Sequence, residues 1–174
     1  MMSQELSLAQ NPMRKIRIEK VLISCGAIEK NLEKSKKLLE LISGMKAQIT
    51  VSKKRIPNFG VTPDLEVGAR VTLRGEKARQ ILSRLLTAIN NTVEESQVTE
   101  NHFSFGIREY IEIQGIEYQR DIGIRGLNAT IVFSRPGLSV KLKKIKAGKL
   151  PKRQHVSQEE IIKFMEDNFQ TIFV

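Results

Sequence analysis

The chain has 174 residues, 40% of them hydrophobic, and a formal net charge of +10 from 29 Lys and Arg against 19 Asp and Glu. That length and composition support one domain with a real core and exclude a disordered chain. The charge favours a polyanionic partner, and nucleic acid is preferred over membrane because no apolar run approaches a span and the basic stretches carry no large apolar face.

Residues 1–13 read as a flexible arm ending at Asn11-Pro12, with no signal-peptide layout, ahead of a single α+β domain over 14–174. Residues 14–24 are rich in Ile and Val and predict a strand. Leu32, Leu38, Leu39, Leu41 and Ile42 recur at helical spacing and predict a helix over 30–44, stopped by Gly44. A short strand at 47–52 leads into a basic loop over 53–64, where Pro57, Gly60 and Pro63 forbid regular structure. A strand at 66–74 and a helix at 75–93 follow, then a polar loop over 94–104. Two more strands are expected at 107–113 and 127–134. A second basic loop covers 135–156. The last helix, 157–169, opens with a capping box of Ser157 and Glu160. Interleaved strands and helices predict a mainly antiparallel sheet with helices packed on one face.

The strand at 66–74 locates the charge. Side chains alternate along a strand, so Val67, Ala69, Val71 and Leu73 point to a core, while Gly68, Arg70, Thr72 and Arg74 point away from it. That second face has two cations and a hydroxyl. The 127–134 strand repeats the pattern, with Asn128, Thr130, Val132 and Ser134 on its polar side. Such a face suits phosphate and ribose contacts. A solvated sheet face is the plainer reading of any one strand, although such faces commonly mix Glu with Lys. Lys53, Lys54 and Arg55 lie beside Asn58 and Phe59 in the first basic loop. An exposed Phe59 would stack on an unpaired base, whereas a packed one would sit under its own loop. The second loop carries Lys141, Lys143, Lys144, Lys146, Lys149, Lys152 and Arg153 without an acid. Mutual repulsion predicts an extended or disordered segment until a polyanion neutralises it.

No enzyme motif survives inspection. Gly148-Lys149 has no P-loop context, and His102 and His155 lack a metal-ligand partner at the required spacing. Cys25, the single cysteine, ends an apolar strand and reads as a packing residue in a reducing, cytoplasmic protein. FSFGIREY has some of the aromatic spacing of an RNP motif without its basic-Gly start. Neither a cofactor nor a catalytic residue is expected.

Several segments together carry a resemblance: Asn11-Pro12-Met13-Arg14, ISG at 42–44, Asn58-Phe59-Gly60, ARVTLRG at 69–75, FGIREYI at 105–111, GLNATIVFSRPG at 126–137, and the helix after His155. In order and spacing they resemble the universal large-subunit ribosomal protein five family, of archaeal or eukaryotic type, from about residue 11 onward. The resemblance implies a structural constituent of the large ribosomal subunit that holds 5S rRNA on an open sheet face and helps form the central protuberance. It implies contacts near Ser24, Phe59 and Thr72, with Arg70 and Arg74 beside them, and further contact with large-subunit rRNA. Residues 53–64 would lie near P-site tRNA, and the protein would bridge to a protein of the small-subunit head. The chain departs from common family residues at Ile28, Met45 and Val156. The alternative for a chain of this chemistry is a free-standing RNA chaperone or regulatory RNA-binding module.

Overall fold

Period-two alternation builds the sheet. In the computed structural model, which describes residues 11–174, β1 (Arg17–Gly26), β3 (Glu66–Leu73), β6 (His102–Ile107) and β7 (Leu127–Ser134) each bury alternate side chains. Short strands β2 (Gln48–Val51) and β5 (Val98–Thr99) complete six strands in the order β2-β3-β1-β7-β6-β5, every neighbouring pair antiparallel. Two two-residue strands, β4 (Thr92–Val93) and β8 (Ile172–Phe173), pair in parallel apart from this sheet.

Helices α1 (Lys30–Ser43) and α2 (Gly75–Ala88) bury Leu38, Leu39, Leu82 and Leu85 against Val21, Ile23, Val71 and Leu73. α4 (Gln158–Phe169) adds Ile161 and Met165 to the same core, and its Phe164 meets Phe133 edge to face at 5.6 Å between centroids. These three helices therefore share one side of the sheet, as the interleaved pattern predicts. α3 (Ser139–Leu142) is a single turn inside the second basic loop.

Local signals set the helix ends. Gly44, at φ +61, donates its N–H to the Glu40 carbonyl and stops α1. The capping box of α4 is complete: Ser157 Oγ accepts from the Glu160 N–H, and Glu160 Oε2 accepts from the Ser157 N–H.

Several expectations are corrected. The helix predicted to reach residue 93 ends at Ala88, because Asn90 and Asn91 adopt φ +55 and +54, turning the chain into β4. The polar loop at 94–104 contains β5 and the start of β6. The strand expected at 107–113 lies earlier, at His102–Ile107, while Tyr110–Glu112 forms a 3₁₀ turn. Phe103 and Phe105 therefore face the core, at 0% and 5% exposure, and cannot stack on bases as RNP aromatics do. β8 has no counterpart in the sequence pattern, since two residues are too few to show an alternation. The arm expected over 1–13 falls outside the described residues up to 10; Pro12–Arg14 form a 3₁₀ turn capped by Asn11.

The second basic loop is folded, against the expectation of an extended or disordered segment. Arg135 donates to the Arg153 carbonyl at 2.7 Å, and Gln154 Nε2 donates to the Pro136 carbonyl at 2.9 Å. These bonds join the two ends of the loop. Gly148 N–H reaches the Val140 carbonyl at 3.1 Å and closes its middle. Repulsion is relieved because all seven cations over 141–153 are exposed to solvent while Leu138 and Leu150 turn toward Val132, Phe133 and Ser134.

Candidate nucleic-acid interface

Strand register turns single-strand patterns into a surface. Ser24 pairs with Arg70 on one side and Asn128 on the other. Arg70 pairs onward with Gln48, and Asn128 with Gly106. One row thus crosses five strands: Gln48, Arg70, Ser24, Asn128, Gly106. The next row is Thr72, Leu22, Thr130, Ser104. A third is Lys20, Val132, His102. All lie on the face that α1, α2 and α4 leave open.

Arg70, Thr72 and Arg74 are exposed on that face, and Ser24 is half-buried between its neighbours. Arg70 Nε donates to the neutral Gln48 Oε1 at 3.2 Å, and no ion pair among the described residues neutralises its charge. Arg74 immediately precedes α2. Gly68 is buried beneath Thr50, whose hydroxyl donates to the Gly68 carbonyl at 2.9 Å, and offers no surface. Glu66 shares the strand parity of Arg70 and is exposed at the start of β3, so the face lacks acids only from Gly68 onward.

The first basic loop stands at one end of β2 and β3. A 3₁₀ turn at Pro57–Phe59, closed by Gly60 at φ +64, places Phe59 at its tip. The Ile56–Val61 bridge holds the base of that turn. Phe59 is 74% exposed, which decides between the two readings of this side chain: it does not pack under its loop. Lys53, Lys54, Arg55 and Asn58 are exposed around it.

The second loop contributes Lys141, Lys143, Lys144, Lys146, Lys149, Lys152 and Arg153, all exposed, in a separate basic lobe. It roofs the far end of β7, where Ser134 is buried and a cavity of about 170 Å³ remains beside Leu138 and Leu150. The residues singled out from sequence therefore form three groups: the sheet face, the Phe59 loop and the roofing loop. Sequence reasoning missed Gln97, Ser104 and Gly106, which join Ser24, Asn128 and Thr130 around a shallow concavity of about 360 Å³. Alternation over 102–107 was the available signal.

The single ion pair among the described residues, Arg135–Glu160, is structural and lies under the second loop. No group of three or more His, Cys, Asp or Glu among the described residues is placed to hold a metal, and no described helix is long and apolar enough to cross a membrane. Cys25 is buried, its thiol donating to the Gly126 carbonyl at 3.2 Å. Val156, where a basic residue is common in the resembled family, is fully buried, which accounts for an apolar side chain there.

Comparisons with known proteins agree with this architecture. Residues 11–61 match the family model described as ribosomal protein L5, and residues 66–164 match the model for the C-terminus of the same ribosomal family. Proteins named large ribosomal subunit protein uL5 are similar along nearly their whole length. That of Nanoarchaeum equitans is 41% identical over 161 residues, 91% of this chain and 95% of its own. That of Sulfurisphaera tokodaii is 39% identical over 168 residues, 94% and 95% of the two chains. That of Methanosphaera stadtmanae is 39% identical over 162 residues, 91% and 96%.

Proposed function

The chain belongs to the ribosomal protein L5 family, and from that premise we propose that it holds 5S rRNA in the large ribosomal subunit, on the open face of its sheet. Membership makes it a ribosomal, non-enzymatic protein of the large subunit, bound there with rRNA and other ribosomal proteins. The observation that carries the finer reading is the cross-strand row Gln48, Arg70, Ser24, Asn128, Gly106. It joins the cationic strand β3 to a broad polar surface left uncovered by helices.

Arg70 and Arg74 neutralise phosphates, and Lys53, Lys54 and Arg55 extend that field toward the exposed Phe59. Phe59 stacks on an unpaired base, with Asn58 beside it to donate or accept. Ser24 and Thr72 orient the backbone. The Lys-rich lobe over 141–153 reaches a different partner surface, because it stands away from the Phe59 loop at the far end of β7. Large-subunit rRNA or a small-subunit head protein would take that lobe, and P-site tRNA would lie near 53–64 while Phe59 keeps its contact with 5S rRNA. Assembly in the central protuberance and a ribosome-bound place in the cytoplasm follow from the same reading.

The test is capture of RNA from lysate by the tagged full-length chain, with sequencing of what is bound. Enrichment of 5S rRNA is expected. A broad mixture of RNAs, together with release from large subunits in a high-salt wash, would instead favour the chaperone reading.

A further inference from the structure

The basic lobe displays apolar groups that a phosphate partner does not use. Leu142 and Ile145 are 68% and 78% exposed, set among Lys141, Lys143, Lys144 and Lys146. They stay outside although the lobe closes on itself: Gly148 N–H meets the Val140 carbonyl, and a Cβ at Gly148 would come within 2.7 Å of Val140 Cγ1. Beneath the lobe lies the cavity of about 170 Å³, with apolar walls from Val132 and Phe133 of β7 and from the half-buried Leu138 and Leu150. An apolar cavity of about 150 Å³ accepts a benzene ring, so this one has room for one Leu, Met or Phe side chain.

Charge says what kind of molecule supplies that side chain. No acid occurs between Arg135 and Val156, and all seven cations over 141–153 are exposed, so a partner that covers the lobe brings anions. Glu19 of β1 is the only acid lining the cavity, and it disfavours a carboxylate there; the group that enters is uncharged. RNA would meet the lysines but has no aliphatic group for Leu142 and Ile145. A second copy of this chain, at +10, would be repelled by the lobe. A polypeptide that alternates carboxylates with an apolar side chain matches both parts.

We propose that the lobe and the cavity beneath it dock an acidic segment of a partner protein, which inserts one Leu, Met or Phe side chain between Leu138 and Leu150. Its carboxylates face Lys143, Lys144 and Lys146, and Leu142 and Ile145 add apolar contact outside the cavity. This surface is separate from the row through Arg70 and Ser24, and its failure leaves the 5S rRNA reading of that row standing.

The experiment titrates the full-length chain with a fluorescein-labelled peptide, Asp-Glu-Asp-Phe-Glu-Asp-Glu, and with the same peptide carrying Ala in place of Phe. The Phe peptide is expected to bind at least about tenfold more tightly, as burial of one aromatic side chain requires. In methyl NMR of the wild-type chain, its ring should shift the signals of Val132, Leu138 and Leu150. Replacing Lys143, Lys144, Lys146 and Lys149 with Gln should weaken both peptides and keep their ratio. Leu150→Phe, which fills the cavity, should bring the two peptides to equal affinity. Equal affinity of both peptides for the wild-type chain would overturn the proposal, as would Phe-dependent shifts confined to methyls elsewhere. A uridine heptamer of the same charge is expected to leave the three methyl signals in place; shifts as large as the peptide's would assign the cavity to a nucleobase and overturn the protein partner. The wild-type comparison needs no variant to fold.

Discussion

Arg135 donates through Nη2 to Glu160 Oε1 at 2.5 Å, tying the residue after β7 to the first turn of α4. The same guanidinium donates through Nη1 to the Arg153 carbonyl, while the other Glu160 oxygen completes the helix cap. One pair thus anchors the root of the basic lobe and the start of the last helix. The Arg135 side chain is only 9% exposed, so removing either partner strands polar groups in a poorly solvated place.

Arg135→Ala should therefore destabilise the fold by about 2 kcal/mol, lowering the melting temperature by about 4–8 °C for a domain of this size. Glu160→Ala should cost somewhat less, since Glu160 is 41% exposed. The double variant should be less damaged than the two losses added together, by about 1 kcal/mol. Strict additivity in thermal or urea unfolding would show that the contact carries no coupling.

Arg70→Ala and Arg74→Ala should each weaken 5S rRNA binding and reduce the slope of log affinity against log salt by roughly 0.7–0.9 per lost phosphate contact. Titrations at several salt concentrations measure this. Unchanged affinity and slope in both variants would falsify the cationic face of β3 as the phosphate site.

Neutral substitution and deletion of the second loop should have different effects. Replacing Lys143, Lys144, Lys146 and Lys149 with Gln removes exposed charge only, so stability should stay within about 0.5 kcal/mol of wild type while retention on large subunits falls at raised salt. Deleting 141–153 also removes Leu150 and the carbonyl that Arg135 uses, so it should lower the melting temperature by several degrees while the chain still folds. The loop is independent of the core if the deletion melts like wild type. It is more deeply structural if the deletion abolishes cooperative unfolding.

Two phenylalanines should separate stability from binding. Phe133 is 1% exposed and stacks with Phe103 at 5.9 Å between centroids, so Phe133→Ala should cost about 3–5 kcal/mol. Phe59→Ala should leave melting unchanged and lower 5S rRNA affinity by roughly fivefold to a hundredfold, the range for one lost stacking contact. A destabilised Phe59→Ala chain with normal affinity would contradict its placement at the loop tip.

What is local and periodic can be read from the residues alone. Alternation over 66–74 and 127–134 defines β3 and β7 and their buried halves, because a strand's period is set by its backbone. Leucines at helical spacing with Gly44, and Ser157 with Glu160, define α1 and the start of α4 through capping within a few residues. Charge is legible too, since counting Lys and Arg needs no fold.

What depends on strands far apart in the chain becoming neighbours emerges only in three dimensions. Ser24 lies between Arg70 and Asn128 because β1 is central in the sheet, and no local pattern encodes that order. The placement of β6 at 102–107 goes with the packing of Phe103 against Phe133 of the neighbouring β7, a contact between residues thirty apart in the chain. The basic loop is folded for a related reason. Its seven cations predict repulsion, but Arg135 bonds the Arg153 carbonyl, Gln154 bonds the Pro136 carbonyl, and Leu138 and Leu150 line a cavity beside β7. Those contacts offset the repulsion locally, and they join residues 18 apart in the chain, a separation that no local pattern shows.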